Sequence, residues 1–188
     1  MANVNAAYGL RPIRHLTGGE IRTNQYPILT GYAANIFTGD PVKLVTATGT
    51  LNIAAGGDTD AIGVFAGCSY VNASGEEKFS KYWPTGTAGT DITAFVYDDP
   101  NIIFAIQSDA TGITQADVGA QADWEIVAGS TSIGISLTNL DASAYLGATA
   151  SGLRVLRIIE MPDNEAGAYA DVEVQFAQHA FNSVPAGI

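Results

Sequence analysis

Residues 92–107 read ITAFVYDDPNIIFAIQ: two apolar runs of six, ITAFVY and IIFAIQ, on either side of the turn sequence DDPN. Runs of six suit strands rather than helices, and β-branched and aromatic side chains fill most of both. The same grammar recurs in both directions. Strand-length runs lie at 41–45, 50–54, 62–71, 78–83, 124–127, 153–160 and 170–181. Gly, Asp, Asn and Pro punctuate them at 39–41, 48–49, 56–57, 72–75 and 84–89. Residues 171–176 (DVEVQF) alternate polar and apolar, the pattern of a strand with one wet face. Helical periodicity is poor: 114–121 and 141–146 offer a turn or two each. Strands at this spacing without long helices between them predict an all-β chain, a small antiparallel barrel or sandwich. Residues 128–152 are small and weakly polar and predict a long loop of the kind that usually makes contacts.

With 188 residues, 47% hydrophobic and only 14% charged, the chain has material for one domain with a sizeable core and is no disordered polymer. Nineteen Asp and Glu against eight Lys and Arg leave a net charge of −11, which argues against binding nucleic acid or an anionic membrane. No apolar run approaches the roughly 18–20 residues that span a bilayer. The N-terminus lacks the apolar core of a signal peptide, and Cys68 alone forms no internal disulfide. The expectation is a soluble chain made in a reducing cytoplasm.

The basic residues are unevenly placed. Arg11, Arg14 and Arg22 fall in the first 22 positions, with a single acid, Glu20, beside them. Gly9, Pro12 and Gly18-Gly19 break any regular period there. Residues 1–22 therefore read as an extended arm on an acidic, β-rich domain of residues 23–188. Such an arm either frays, orders on another chain, or is tied to its own sheet.

Little else resembles chemistry. His15 and His179 belong to no metal-ligand or triad spacing, and Cys68 sits in an apolar strand (GVFAGCSY) without a basic neighbour. Asp58 and Asp60 follow Gly56-Gly57 like half a calcium loop, without the remaining oxygen ligands. Asp98-Asp99-Pro100 and Asp163-Asn164-Glu165 read as solvated turns. The glycines form no phosphate loop. The sequence thus predicts no enzyme, no cofactor and no small-molecule substrate. Tyr82-Trp83-Pro84 allows core packing, a sugar-stacking platform or an interface anchor.

The opening MANVNAAYGLRP (1–12) resembles the start of a family of tailed-bacteriophage virion proteins. Similar segments are GDPV (39–42), GVFAGCSY (63–70), YWP (82–84), DDP (98–100), LRVLR (153–157) and PDNE (162–165). The likeness covers most of the chain and is weakest over 110–150. It implies a non-enzymatic capsid decoration, or cement, protein: a homotrimer on the outer surface of a phage head, with the major capsid protein as partner. On that reading Tyr8, Leu10, Ile13 and Leu16 are apolar anchors of a capsid-contact arm. Arg11, Arg14 and Arg22 supply its charge-assisted bonds, and Phe65, Tyr82 and Trp83 lie at the oligomer interface. Deleting residues 1–19 should then leave a folded oligomer unable to attach. The alternatives are a carbohydrate-binding or adhesion module using Tyr82 and Trp83, or another virion component such as a tail or major capsid protein.

Overall fold

The computed structural model describes residues 3–143 and 152–181. Fourteen strands run in chain order among these residues. The first seven are β1 (Arg11–His15), β2 (Asn24–Tyr26), β3 (Ile36–Phe37), β4 (Pro41–Val45), β5 (Thr50–Ile53), β6 (Ala61–Asn72) and β7 (Glu77–Ser80). There follow β8 (Tyr82–Trp83), β9 (Gly89–Tyr97), β10 (Ile102–Gln107), β11 (Gln121–Glu125), β12 (Asn139–Asp141), β13 (Leu153–Ile158) and β14 (Asp171–Phe176). The expected turn of helix near 114–121 is a 3-10 turn, Gln115–Asp117, held by the Asp117 carboxylate accepting from the Thr114 backbone and hydroxyl. In the turn of helix expected at 141–146, Asp141 closes β12, and residues 144–146 lie outside the described ones.

The strands make two large antiparallel sheets. One has the order β1-β10-β14-β13-β11-β12, the other β2-β9-β6-β4-β5 with β7 also against β6. A two-stranded β3–β8 pair completes the set. The two strands of the 92–107 stretch fall in different sheets: β9 pairs with β6 and β2, whereas β10 pairs with β1 and β14. The DDPN turn therefore carries the chain from one layer to the other, which makes the architecture an open sandwich and not a closed barrel.

Burial follows the alternation. Ile102, Phe104, Ile106, Val172, Val174 and Phe176 turn inward from the first sheet and meet Ala61 and Val64 of the second in one core. The second sheet buries its other face too, where Val42, Phe65 and Val96 pack with Ile28, Ile36 and Trp83. Each large side chain so buried contributes about 1.5–3 kcal/mol. The layers are tight at Gly63, whose φ of +146° is open chiefly to glycine, and where any Cβ would overlap the Tyr97 carbonyl of β9.

Three expectations are corrected. The N-terminal segment is extended, but it is part of its own sheet: residues 11–15 are the edge strand β1, and Leu10 is buried in the main core. Phe65 and Trp83 are fully buried, which takes both away from an oligomer interface and Trp83 away from a sugar platform. Tyr82 is half-buried and stacks on Phe37 at 5.3 Å between ring centres. The long loop at 128–152 carries β12, which pairs with β11, and its residues 144–151 lie outside the described ones.

Candidate functional site

The N-terminal segment is fastened to parts of the chain far from it in sequence. Asn3 Nδ2 donates to the carbonyls of Glu165 (2.7 Å) and Ala168 (2.9 Å), and its Oδ1 accepts from the Glu165 amide (2.9 Å). Gln107, itself buried, accepts from the Ala6 amide at 2.7 Å and donates to the Val4 carbonyl at 3.1 Å. Tyr8 donates to Asp171 at 3.0 Å, and the Leu10 amide donates to the Gly39 carbonyl at 2.9 Å. Burial, together with the Asp171 charge, pushes the Tyr8 phenol well above its ordinary value, and burial also raises the Asp171 carboxyl. Seven backbone or side-chain bonds over residues 3–10 make this segment a fixture.

Next comes an ionic lock. Glu173 on β14 is only 3% exposed, and it faces Arg14 from β1 (2.7 Å) and Arg157 from β13. Burial works to raise its carboxyl, but the two guanidiniums prevail and hold it below the ordinary carboxylate range. Of the seven residues expected in a contact arm, Leu10 is thus in the core and Arg14 is engaged internally. Arg22 pairs with Glu20 at 2.7 Å, and Tyr8 is half-buried under Arg11, whose guanidinium lies 4.6 Å from the ring centre. Ile13 and Leu16 remain outward, 39% and 51% exposed, with Val4 at 75%.

The N-terminal segment lines two grooves. One, of about 470 Å³, lies between Val4, Tyr8, Met161, Tyr169 and the carboxylates Asp163 and Asp171. The other, of about 340 Å³, runs under Arg11 against Leu10, Pro12, Phe65, Tyr97 and Ile135. The free edge of β1 is a poor template for a further strand, because Pro12 lacks an amide hydrogen and the register breaks between Pro12 and Arg14. What this face presents is side chains on a fastened segment.

The histidines, Cys68 and the acidic turn residues Asp58, Asp60 and Asp98 are committed to structure. His15 Nε2 lies 3.0 Å from Asp99, and Thr17 Oγ1 lies 3.1 Å from Nδ1, a line that superficially matches a relay. The amides of Thr17 and Gly19 also donate to Nδ1, so the ring caps a turn and its lone pair is engaged. Asp58 pairs with Lys43 at 2.8 Å and accepts from the Ala55 amide; Asp60 stands 3.9 Å from the same ammonium. Among the described residues no three His, Cys, Asp or Glu side chains converge as metal ligands. Asp98 accepts from Asn24 and Tyr26, and buried His179 is held below its usual value by desolvation. Burial pushes the Cys68 thiol up to about 12, far from thiolate chemistry.

Asn3, Gln107, Arg157 and Glu173 were absent from the sequence-based candidates. The only sequence signal for them was the alternation in 171–176, which places Glu173 on the polar face without revealing that this face is covered. No family model, curated protein or solved structure matches this chain.

Proposed function

We propose that this chain is a non-enzymatic decoration protein that binds the outer surface of a tailed-phage head and stabilises it, working as a homotrimer. One observation supports the attachment side above others: Val4, Ile13 and Leu16 project from a segment pinned by Asn3, Gln107, Tyr8 and Leu10. Apolar side chains held rigid before contact lose little entropy on docking, so a small patch yields durable binding. Repetition across a trimer multiplies the effect. The ordered likeness to phage virion proteins, from MANVNAAYGLRP to PDNE, supports the choice of partner, the major capsid protein. The acidic charge suits an outward-facing protein that must stay soluble.

The test is attachment by variants that keep the fold. Ile13→Asp with Leu16→Asp places two charges on exposed positions and should leave the melting temperature within a few degrees. Binding to undecorated heads should fall at least about 100-fold, as expected when apolar anchors at an interface are replaced by charge. Unchanged occupancy on heads would move the attachment elsewhere.

A further inference from the structure

The register of the first sheet gathers the chain's scarce cations. Arg11 lies opposite Ala105, which lies opposite Glu173, which lies opposite Arg157; Arg154 lies opposite Gln175, two residues along the same face. Arg14 reaches the same Glu173. Four of the eight Lys and Arg in the chain therefore stand on one outer sheet face of a molecule with net charge −11. Arg14 and Arg157 are partly neutralised by Glu173. Arg11 and Arg154, both exposed, make no ion pair among the described residues.

Unlike charge collects at the far end of the second sheet. Glu77 lies opposite Val71, which is also opposite Thr90, so Glu77, Asp91 and the adjoining Glu76 stand near the tip of β6; Lys78 lies 3.1 Å from Glu76 and offsets that one charge. Beside them Phe79 on edge strand β7 is 75% exposed, an aromatic left uncovered by the described residues.

We propose that the arginine face of one copy receives the acidic β6–β7 tip of a second copy, with Phe79 at the centre of the contact. The chain itself supplies the charge complementarity: Glu173, Asp171 and Glu160 offset the arginine face only in part, whereas Glu77 and Asp91 stand on the other sheet. The two patches differ, so the interface joins unlike surfaces head to tail, and a closing rotation gives a ring and not a two-fold dimer. This deepens the oligomeric part of the reading above by naming the contact; it moves Arg11 from the head to the self-contact and leaves Val4, Ile13 and Leu16 to the head.

Charge reversal tests it on the full-length protein. Sedimentation of the wild type at low salt should give a closed oligomer, with its dissociation constant rising at least about tenfold between about 50 and about 500 mM NaCl as the pairs are screened. Arg11→Glu with Arg154→Glu leaves the Glu173 lock intact and should give folded monomers, as should Glu76→Lys with Glu77→Lys. Combining all four changes in one chain should restore the oligomer, which a merely misfolded variant would not do. Monomers of the wild type at every concentration would overturn the proposal. So would an oligomer indifferent to both reversals and to salt. Binding of a DNA duplex of about 20 base pairs that the Arg11→Glu, Arg154→Glu variant loses, without any self-assembly, would assign the face to phosphate instead. Attachment to heads, read through Ile13 and Leu16, stands or falls separately.

Discussion

Removing residues 1–19 is expected to destabilise the whole molecule, not to release a folded body that fails to attach. The truncation takes away β1 and with it one hydrogen-bonded neighbour of β10. It deletes Leu10 from the main core, which by itself is worth about 2–5 kcal/mol. It also strips Gln107 of both its backbone partners and Glu173 of one of its two guanidiniums. Together these losses amount to roughly 5 kcal/mol or more, a large share of a typical domain's stability. At this chain length that corresponds to a fall of roughly 10–20 °C in melting temperature. Circular dichroism melts of the full and truncated chains measure it directly. A truncated protein melting within a few degrees of the full chain would show that the segment is dispensable to the fold after all.

The second large effect lies in the lock around Glu173, and its sign depends on which partner is removed. Replacing Arg14 and Arg157 together by Ala leaves a carboxylate that is 3% exposed with neither cation, and should cost about 3–5 kcal/mol. Glu173→Gln should cost much less, about 1–2 kcal/mol, because the two guanidiniums left behind are half-exposed and water can solvate them. The pH dependence follows from the same charges. The folded carboxyl is held below its unfolded value, so the unfolded state binds the proton more readily. Its stabilisation is fully present above about pH 4.3, the ordinary Glu value, and is lost as pH falls through the lower folded value. In the double Arg variant this acid-sensitive contribution should vanish, or reverse as burial alone raises the carboxyl. Chemical denaturation at pH 7 and pH 3 separates the two variants; equal losses in both would contradict the asymmetry.

Strands that bury a continuous apolar run were legible from the sequence. The expected 41–45 and 102–107 coincide with β4 and β10, and 62–71 and 92–97 sit inside β6 and β9. Their signal is local: apolar residues between turn formers. The strands that escaped are β1, β2, β3 and β12, with sequences RPIRH, NQY, IF and NLD. The polar ones are edge strands defined by backbone pairing to a neighbour, and edge pairing leaves no hydrophobic period. The run at 78–83 has the pattern of one strand, yet it breaks at Lys81, whose carbonyl turns aside to accept from the Thr38 amide.

The contact surface was less legible for the same reason. Whether Arg14 faces solvent depends on Glu173, 159 residues away in sequence, and whether residues 3–8 fray depends on Gln107 and Asn164–Asp171 lying beneath them. Composition recognised the basic N-terminus but not that β13 adds Arg154 and Arg157 to the same face. Those pairings are long-range, and a single sequence carries no local trace of them.

The central claim, that this chain decorates the outside of a phage head, is tested most directly by cryo-electron microscopy of purified particles that contain it. Ordered density is expected on the outer shell surface at regular lattice positions, with the side of the molecule bearing Val4, Ile13 and Leu16 against the capsid protein. Density confined to the tail or to the shell lattice itself, or a copy number of only a few per particle, would contradict it.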